Sequence, residues 1–127
     1  MRVAIKTDKA PSAVGPYSQA IKVSCGTVVF LSGNIPLHPE TKEIVGKTSA
    51  EQCKQVMDNI VQVLEAAGTD LSHVVKTTIF LTDLDSFGPV NEMYATYFDV
   101  DPPARTTAEV SKLPLGVKIM IDAVAFL

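Results

Sequence analysis

The sequence predicts an α+β fold in which six strands form one sheet and two long helices cover one of its faces. Three observations carry this reading. Two stretches place apolar residues at helical spacing, the segments around them are short and rich in β-branched residues, and Gly or Pro punctuates nearly every junction.

Taken in order, Arg2 to Lys6 reads as a short first strand. Ser18 to Ser24 and Thr27 to Ser32 are β-branched or alternating, which predicts a hairpin turning at Cys25-Gly26. Gly33-Asn34-Ile35-Pro36 breaks that pattern, and Leu37 to Gly46, with Pro39 and a polar run, predicts a surface excursion. Thr48-x-x-Glu51 and Ser49-x-x-Gln52 are overlapping capping-box candidates, after which Cys53, Val56, Met57, Ile60 and Leu64 recur at helical spacing until Gly68. Val74 to Leu81 has five β-branched residues in eight and predicts a strand. Asp83 or Asp85 then offers a cap for a second helix carrying Phe87, Val90, Tyr94, Tyr97 and Phe98, ended by Asp101-Pro102-Pro103. Thr106 to Ser111 and Val117 to Phe126 are the last two strands, joined at Leu113-Pro114-Leu115-Gly116.

Length and composition bound the function classes. The 127 residues fit one domain spanning 1–127, and 46% hydrophobic with 20% charged residues is the balance of an ordinary globular core. A formal charge of −3 with dispersed lysines and arginines gives no field for a phosphate backbone, so no nucleic-acid partner is expected. Apolar runs such as Thr27 to Leu31 are far below the roughly 20 residues of a membrane helix, and Met1-Arg2-Val3 opens no signal peptide. No membrane partner and a cytoplasmic location are expected, an organelle such as the mitochondrion being the alternative. Cys25 and Cys53 lie in no CxxC pattern and far from histidines at ligand spacing, so free thiols and no metal site are expected. His38 and His73 read as turn or surface histidines. A one-sided sheet leaves its second face uncovered, which predicts self-association.

Arg105 is the residue that points to chemistry. It follows Pro102-Pro103-Ala104 at a strand entrance, so prolines fix its backbone on one side and the ladder on the other. Alternation puts Thr107 and Glu109 on its face. A guanidinium presents a planar fork that matches a carboxylate, and each hydrogen bond to a charged group contributes about 1.5–3 kcal/mol. On spacing alone two readings stand: an anchor for a small carboxylate, or a structural ion pair with Glu109 or Asp122.

Several segments then resemble a known family across nearly the whole chain. Ala10-Pro11-Ser12-Ala13-Val14-Gly15-Pro16-Tyr17-Ser18-Gln19, Ser32-Gly33-Asn34-Ile35-Pro36, Glu65-Ala66-Ala67-Gly68, Val75-Lys76-Thr77-Thr78, Val90-Asn91-Glu92-Met93-Tyr94, Pro103-Ala104-Arg105 and Leu113-Pro114 look like signature segments of the reactive intermediate deaminase (RidA, YjgF) family. The resemblance implies a chorismate-mutase-like fold, a homotrimer with its sheets packed inward, and sites in clefts between subunits. It implies hydrolysis of 2-imino acids and their enamine tautomers, such as 2-aminoacrylate, to 2-keto acids and ammonia without a cofactor. It also implies that Arg105 holds the substrate carboxylate, that Tyr17 lines the cleft and passes a proton, and that Ser32, Gly33, Asn91 and Thr107 line it too.

Three positions depart from the family pattern. Met120 stands where active members typically carry a glutamate that holds the attacking water, and a thioether cannot do that. Thr107 replaces a frequent cysteine, and Asn34 a frequent glutamine. Asp122 shares the face of Met120 but lies roughly 6–7 Å further along the strand. The leading expectation is a 2-iminobutanoate/2-iminopropanoate deaminase. The alternative is a non-catalytic trimeric binder of small 2-keto carboxylates with a sensing or regulatory role, and an endoribonuclease or translation inhibitor ranks last.

Overall fold

The computed structural model describes residues 1–24 and 26–127. Eight principal elements follow the chain: β1 (Arg2–Ile5), β2 (Ala20–Val23), β3 (Val28–Asn34), α1 (Ser49–Ala66), β4 (Val74–Leu81), α2 (Phe87–Ala95), β5 (Ala104–Glu109) and β6 (Ile119–Phe126). The α+β class holds, with both helices on one face. The six expected strands divide into a four-stranded sheet of order β3-β6-β4-β5 and a separate two-stranded pair, β1-β2.

α1 forms where the capping signal places it. Thr48 Oγ1 accepts from the Glu51 amide while the Glu51 carboxylate accepts from the amides of Thr48 and Lys47. Cys53, Val56, Met57, Ile60 and Leu64 are all buried on its inner stripe. They meet Ile79 and Leu81 of β4, Ile119, Ile121, Ala123 and Ala125 of β6, and Leu31 of β3, so the core lies between helices and sheet. β4 and β6 bury every second residue on this side, the period-2 signature of a strand with one covered face. The other face carries Phe30, Met120, Asp122, Val124, Thr78 and Phe80, and Phe30 is 78% exposed.

Two expectations need correcting. The strands flanking Cys25-Gly26 do not pair with each other: β2 pairs antiparallel with β1, and β3 with β6. Cys25 itself lies outside the described residues. The β1–β2 connection is closed by Gln19, whose side chain accepts from the Thr7 amide and donates to the carbonyls of Thr7 and Pro11, which sets the β1–β2 register instead. α2 also ends at Ala95, before the expected Tyr97 and Phe98. There the Tyr97 and Phe98 amides bond only three residues back, to Tyr94 and Ala95, and Thr96 Oγ1 donates to the Met93 carbonyl, tightening the last turn out of the α form.

The fold positions the next feature through β4-α2-β5. β4 and β5 are parallel, so the chain crosses over through α2, which lies against the same edge of the sheet. β5 begins at Ala104, two residues earlier than expected. Thr77 therefore pairs with Arg105 and Ile79 with Thr107, on the helix side.

Candidate functional site

Arg105 enters a cleft bounded by β5, α2 and the loop before β2. Its Nη1 donates to Asn91 Oδ1 at 2.8 Å. The guanidinium carbon lies 5.3 Å from the ring centroids of Tyr17, Phe87 and Tyr94 alike, a three-sided aromatic cage. Phe87, Asn91 and Tyr94 recur at i, i+4 and i+7, so one stripe of α2 supplies two rings and the amide. Tyr94 is held in turn by a buried hydrogen bond of 2.8 Å with Thr77 Oγ1, and burial pushes its phenol up to about 12.

The loop that carries Tyr17 is tied to the same place. The Ser18 amide donates to the Pro103 carbonyl at 3.2 Å, and Ser18 Oγ donates to the Pro102 carbonyl. A Cβ added at Gly15 would lie 3.6 Å from Asn91 Nδ2 and 3.8 Å from Arg105 Nη2, so position 15 borders the guanidinium closely. The open cleft holds about 290 Å³ and is lined by Val14, Gly15, Tyr17, Phe87, Asn91, Arg105 and Thr107.

The surrounding charges bear on the two readings of Arg105. Glu109 is spent elsewhere, accepting from the Leu84 amide at 2.9 Å, and Asp122 alternates with the buried Ile121 and Ala123 onto the opposite face of the sheet. Among the described residues no salt bridge reaches Arg105, and no carboxylate lines its cavity. Burial lowers the guanidinium pKa from its ordinary value, with Tyr94 and Tyr17 opposing the shift. Thr107 Oγ1 is the one buried side-chain oxygen or nitrogen without a hydrogen-bond partner among the described residues, and Thr107 lines the same cavity. The cleft thus sets a desolvated cation with no counter-ion among the described residues beside an unpartnered hydroxyl.

Of the residues singled out in the sequence, Tyr17, Asn91, Arg105 and Thr107 come together. Ser32 and Gly33 do not. They lie on β3, and the strand order places three inter-strand spacings, roughly 14 Å, between β3 and β5. Ser32 and Gly33 sit in a β-bulge between Leu31 and Asn34, and a Cβ at Gly33 would lie 2.7 Å from Met120 Sδ. Met120 thus packs on the bulge, on the sheet face away from Arg105. Sequence reasoning missed Phe87 and Tyr94 as site residues, taking them for core. The available signal was that Phe87, Asn91 and Tyr94 form one helical stripe.

The family model described as Endoribonuclease L-PSP matches residues 7–127. The chain is 55% identical over 124 residues to Protein DfrA of Myxococcus xanthus, covering 98% of this chain and 95% of that protein. It is 43% identical over 125 residues to the 2-iminobutanoate/2-iminopropanoate deaminase of Mus musculus, covering 98% and 91%. Among solved structures it matches E. coli TdcF with bound serine at a TM-score of 0.76 and 38% identity, covering 98% of each chain. With these matches over nearly its whole length, the chain belongs to the reactive intermediate deaminase (RidA, YjgF) family, which the Endoribonuclease L-PSP model describes.

Proposed function

We propose that this protein hydrolyses small 2-imino acids to 2-keto acids and ammonia, as one domain over residues 1–127 acting in the cytoplasm. The observation that carries the reading is the half-buried Arg105 guanidinium, free of any carboxylate among the described residues and facing a cavity of about 290 Å³. That volume sits near the lower end for small-molecule sites. A relative of 43% identity is named for this reaction, and a structural neighbour holds serine, a small carboxylate of similar size.

In this reading Arg105 binds the substrate carboxylate by its free fork, with Asn91 fixing the plane of the guanidinium. The Thr107 hydroxyl bonds the 2-imino nitrogen or the oxygen that replaces it. Water adds to the C=N carbon, giving a tetrahedral amino alcohol, and Tyr17 carries a proton to the departing nitrogen. The C–N bond then breaks to release ammonia and the 2-keto acid. Imines of this type hydrolyse unaided in water, so holding the carboxylate, the imine and one water in register is a sufficient catalytic task without metal or organic cofactor.

Ser32, Gly33 and Met120 enter the reading through a second copy of the chain. They lie on the uncovered sheet face, beside the exposed Phe30, and a homotrimer packed through that face would carry them to a neighbour's Arg105 cleft. Met120 supports a second reading, a trimer that binds 2-keto carboxylates for sensing without turnover, because a thioether holds no water. An RNA-cleaving role draws no support from a formal charge of −3.

A coupled assay separates the readings. A threonine dehydratase generates 2-iminobutanoate, and 2-ketobutanoate appearance is followed with and without this protein. Acceleration is expected. Absence of acceleration at stoichiometric protein would sink the hydrolase, and calorimetric binding of 2-ketobutanoate in that same sample would establish the binder. Under the binder reading, Met120→Glu gains turnover with 2-ketobutanoate affinity unchanged.

A further inference from the structure

A second and larger cavity, of about 430 Å³, opens in the helix layer away from Arg105. Its apolar wall comes from three separate elements: Val61 on α1, Leu71 in the turn before β4, and Phe98 just past α2. Val100 stands at its mouth with 76% of its surface exposed, and Phe98 is braced from behind by the Tyr94 ring at a centroid distance of 4.9 Å. The cavity is therefore built on packed elements and falls within the size range of small-molecule sites.

Its lining charge is predominantly negative. Glu65, Asp70, Asp99 and Asp101 line it, against the single cation Arg2. Arg2 is committed to the wall, donating from Nε to the Val74 carbonyl at 3.0 Å and from Nη2 to the Asp101 carbonyl at 2.7 Å. Asp70 is engaged by Ser72 and His73. The Glu65 and Asp99 carboxylates have no ion-pair partner among the described residues. Both helices also end here, α1 at Ala66 and α2 at Ala95, and neither has a basic residue in its last turn. Two C-terminal helix ends thus add to the negative field, which Arg2 offsets only in part.

An apolar wall beneath a predominantly negative rim selects against anions and rewards a positive charge that neutral molecules lack. We propose that this cavity is a binding site for a small amphipathic organic cation, a primary ammonium bearing an aryl or alkyl group. Its apolar part rests on Val61, Leu71 and Phe98, and its ammonium faces Glu65 and Asp99. The site is independent of the deaminase reading, since it shares no residue with the Arg105 cavity.

The test titrates the ¹⁵N-labelled full chain with three probes of one shape: 2-phenylethylammonium, 2-phenylethanol and 3-phenylpropanoate. The ammonium is expected to give saturable amide shifts at Val61, Leu71 and Phe98 while Arg105 and Asn91 stay still, with the alcohol clearly weaker and the carboxylate silent at these residues. The double variant Glu65→Gln/Asp99→Asn should keep the thermal midpoint and weaken the ammonium roughly five- to thirtyfold. As a check that needs no variant, ammonium affinity of the wild type should fall as salt rises from about 50 mM to about 300 mM. Equal binding of the alcohol, shifts that never saturate, or affinity indifferent to both salt and the double variant would overturn the proposal.

Discussion

Arg105 concentrates the consequences at the scale of single residues. Arg105→Lys keeps a charge but loses the planar fork and the Asn91 bond, so 2-ketobutanoate affinity by calorimetry should drop roughly tenfold or more while the fold is kept. Thr107→Val tests the unpartnered hydroxyl differently. Removing a buried oxygen that has no partner should leave stability unchanged or raise it by up to about 1 kcal/mol in urea unfolding, and should weaken 2-ketobutanoate. A structural threonine would show the reverse pattern. Tyr94 supplies a pH signature. Its folded-state pKa stands near 12 against an ordinary 10, so the unfolded chain loses this proton first and stability should fall as pH rises from 10 toward 12. Tyr94→Phe should flatten that alkaline slope, though it also strands Thr77 Oγ1 at a cost of about 1–3 kcal/mol, which the added Thr77→Val change should largely restore.

Among the elements, α1 was fully legible before any coordinates, because a capping box and an apolar stripe are both local signals. Thr48→Ala should cost about 1 kcal/mol by urea unfolding. The partner carboxylate, Glu51, is held below its ordinary value chiefly by the Thr48 amide, so its share of the cap is present above about pH 4.5 and fades as pH falls through the lower folded value. Strand pairing was less legible. β2 and β3 looked like one hairpin, yet their partners are β1 and β6, a choice made by Gln19 and by the core contacts of Leu31, both outside any local window. α2 shows the same limit at the site. The sequence supplied Phe87 and Tyr94 as apolar periodicity, and only the parallel register of β4 and β5, which sets Arg105 opposite Thr77, turns that stripe into a cage. Tyr17 and Asn91 were named through family resemblance and not from spacing, whereas strand alternation already set Thr107 on the face of Arg105.

For the molecule as a whole, the uncovered sheet face makes the strongest demand. In the proposed trimer Phe30, 78% exposed in the isolated chain, should lie inside, so Phe30→Lys should shift sedimentation from trimer toward monomer and remove the proposed turnover while leaving the Arg105 cleft of each chain intact. β5 carries a further consequence. It is an edge strand, hydrogen-bonded to β4 alone, and the loop of Tyr17 and the stripe of α2 close over it from two other parts of the chain. A bound carboxylate would therefore act as a further clasp across three segments. Native-state amide exchange should slow first in β5 and the 13–18 loop. Saturation at one hundred times Kd should raise global stability by about 2.7 kcal/mol. Melting temperature becomes an assay in its own right, ranking candidate acids by their grip on that edge before any reaction is assumed.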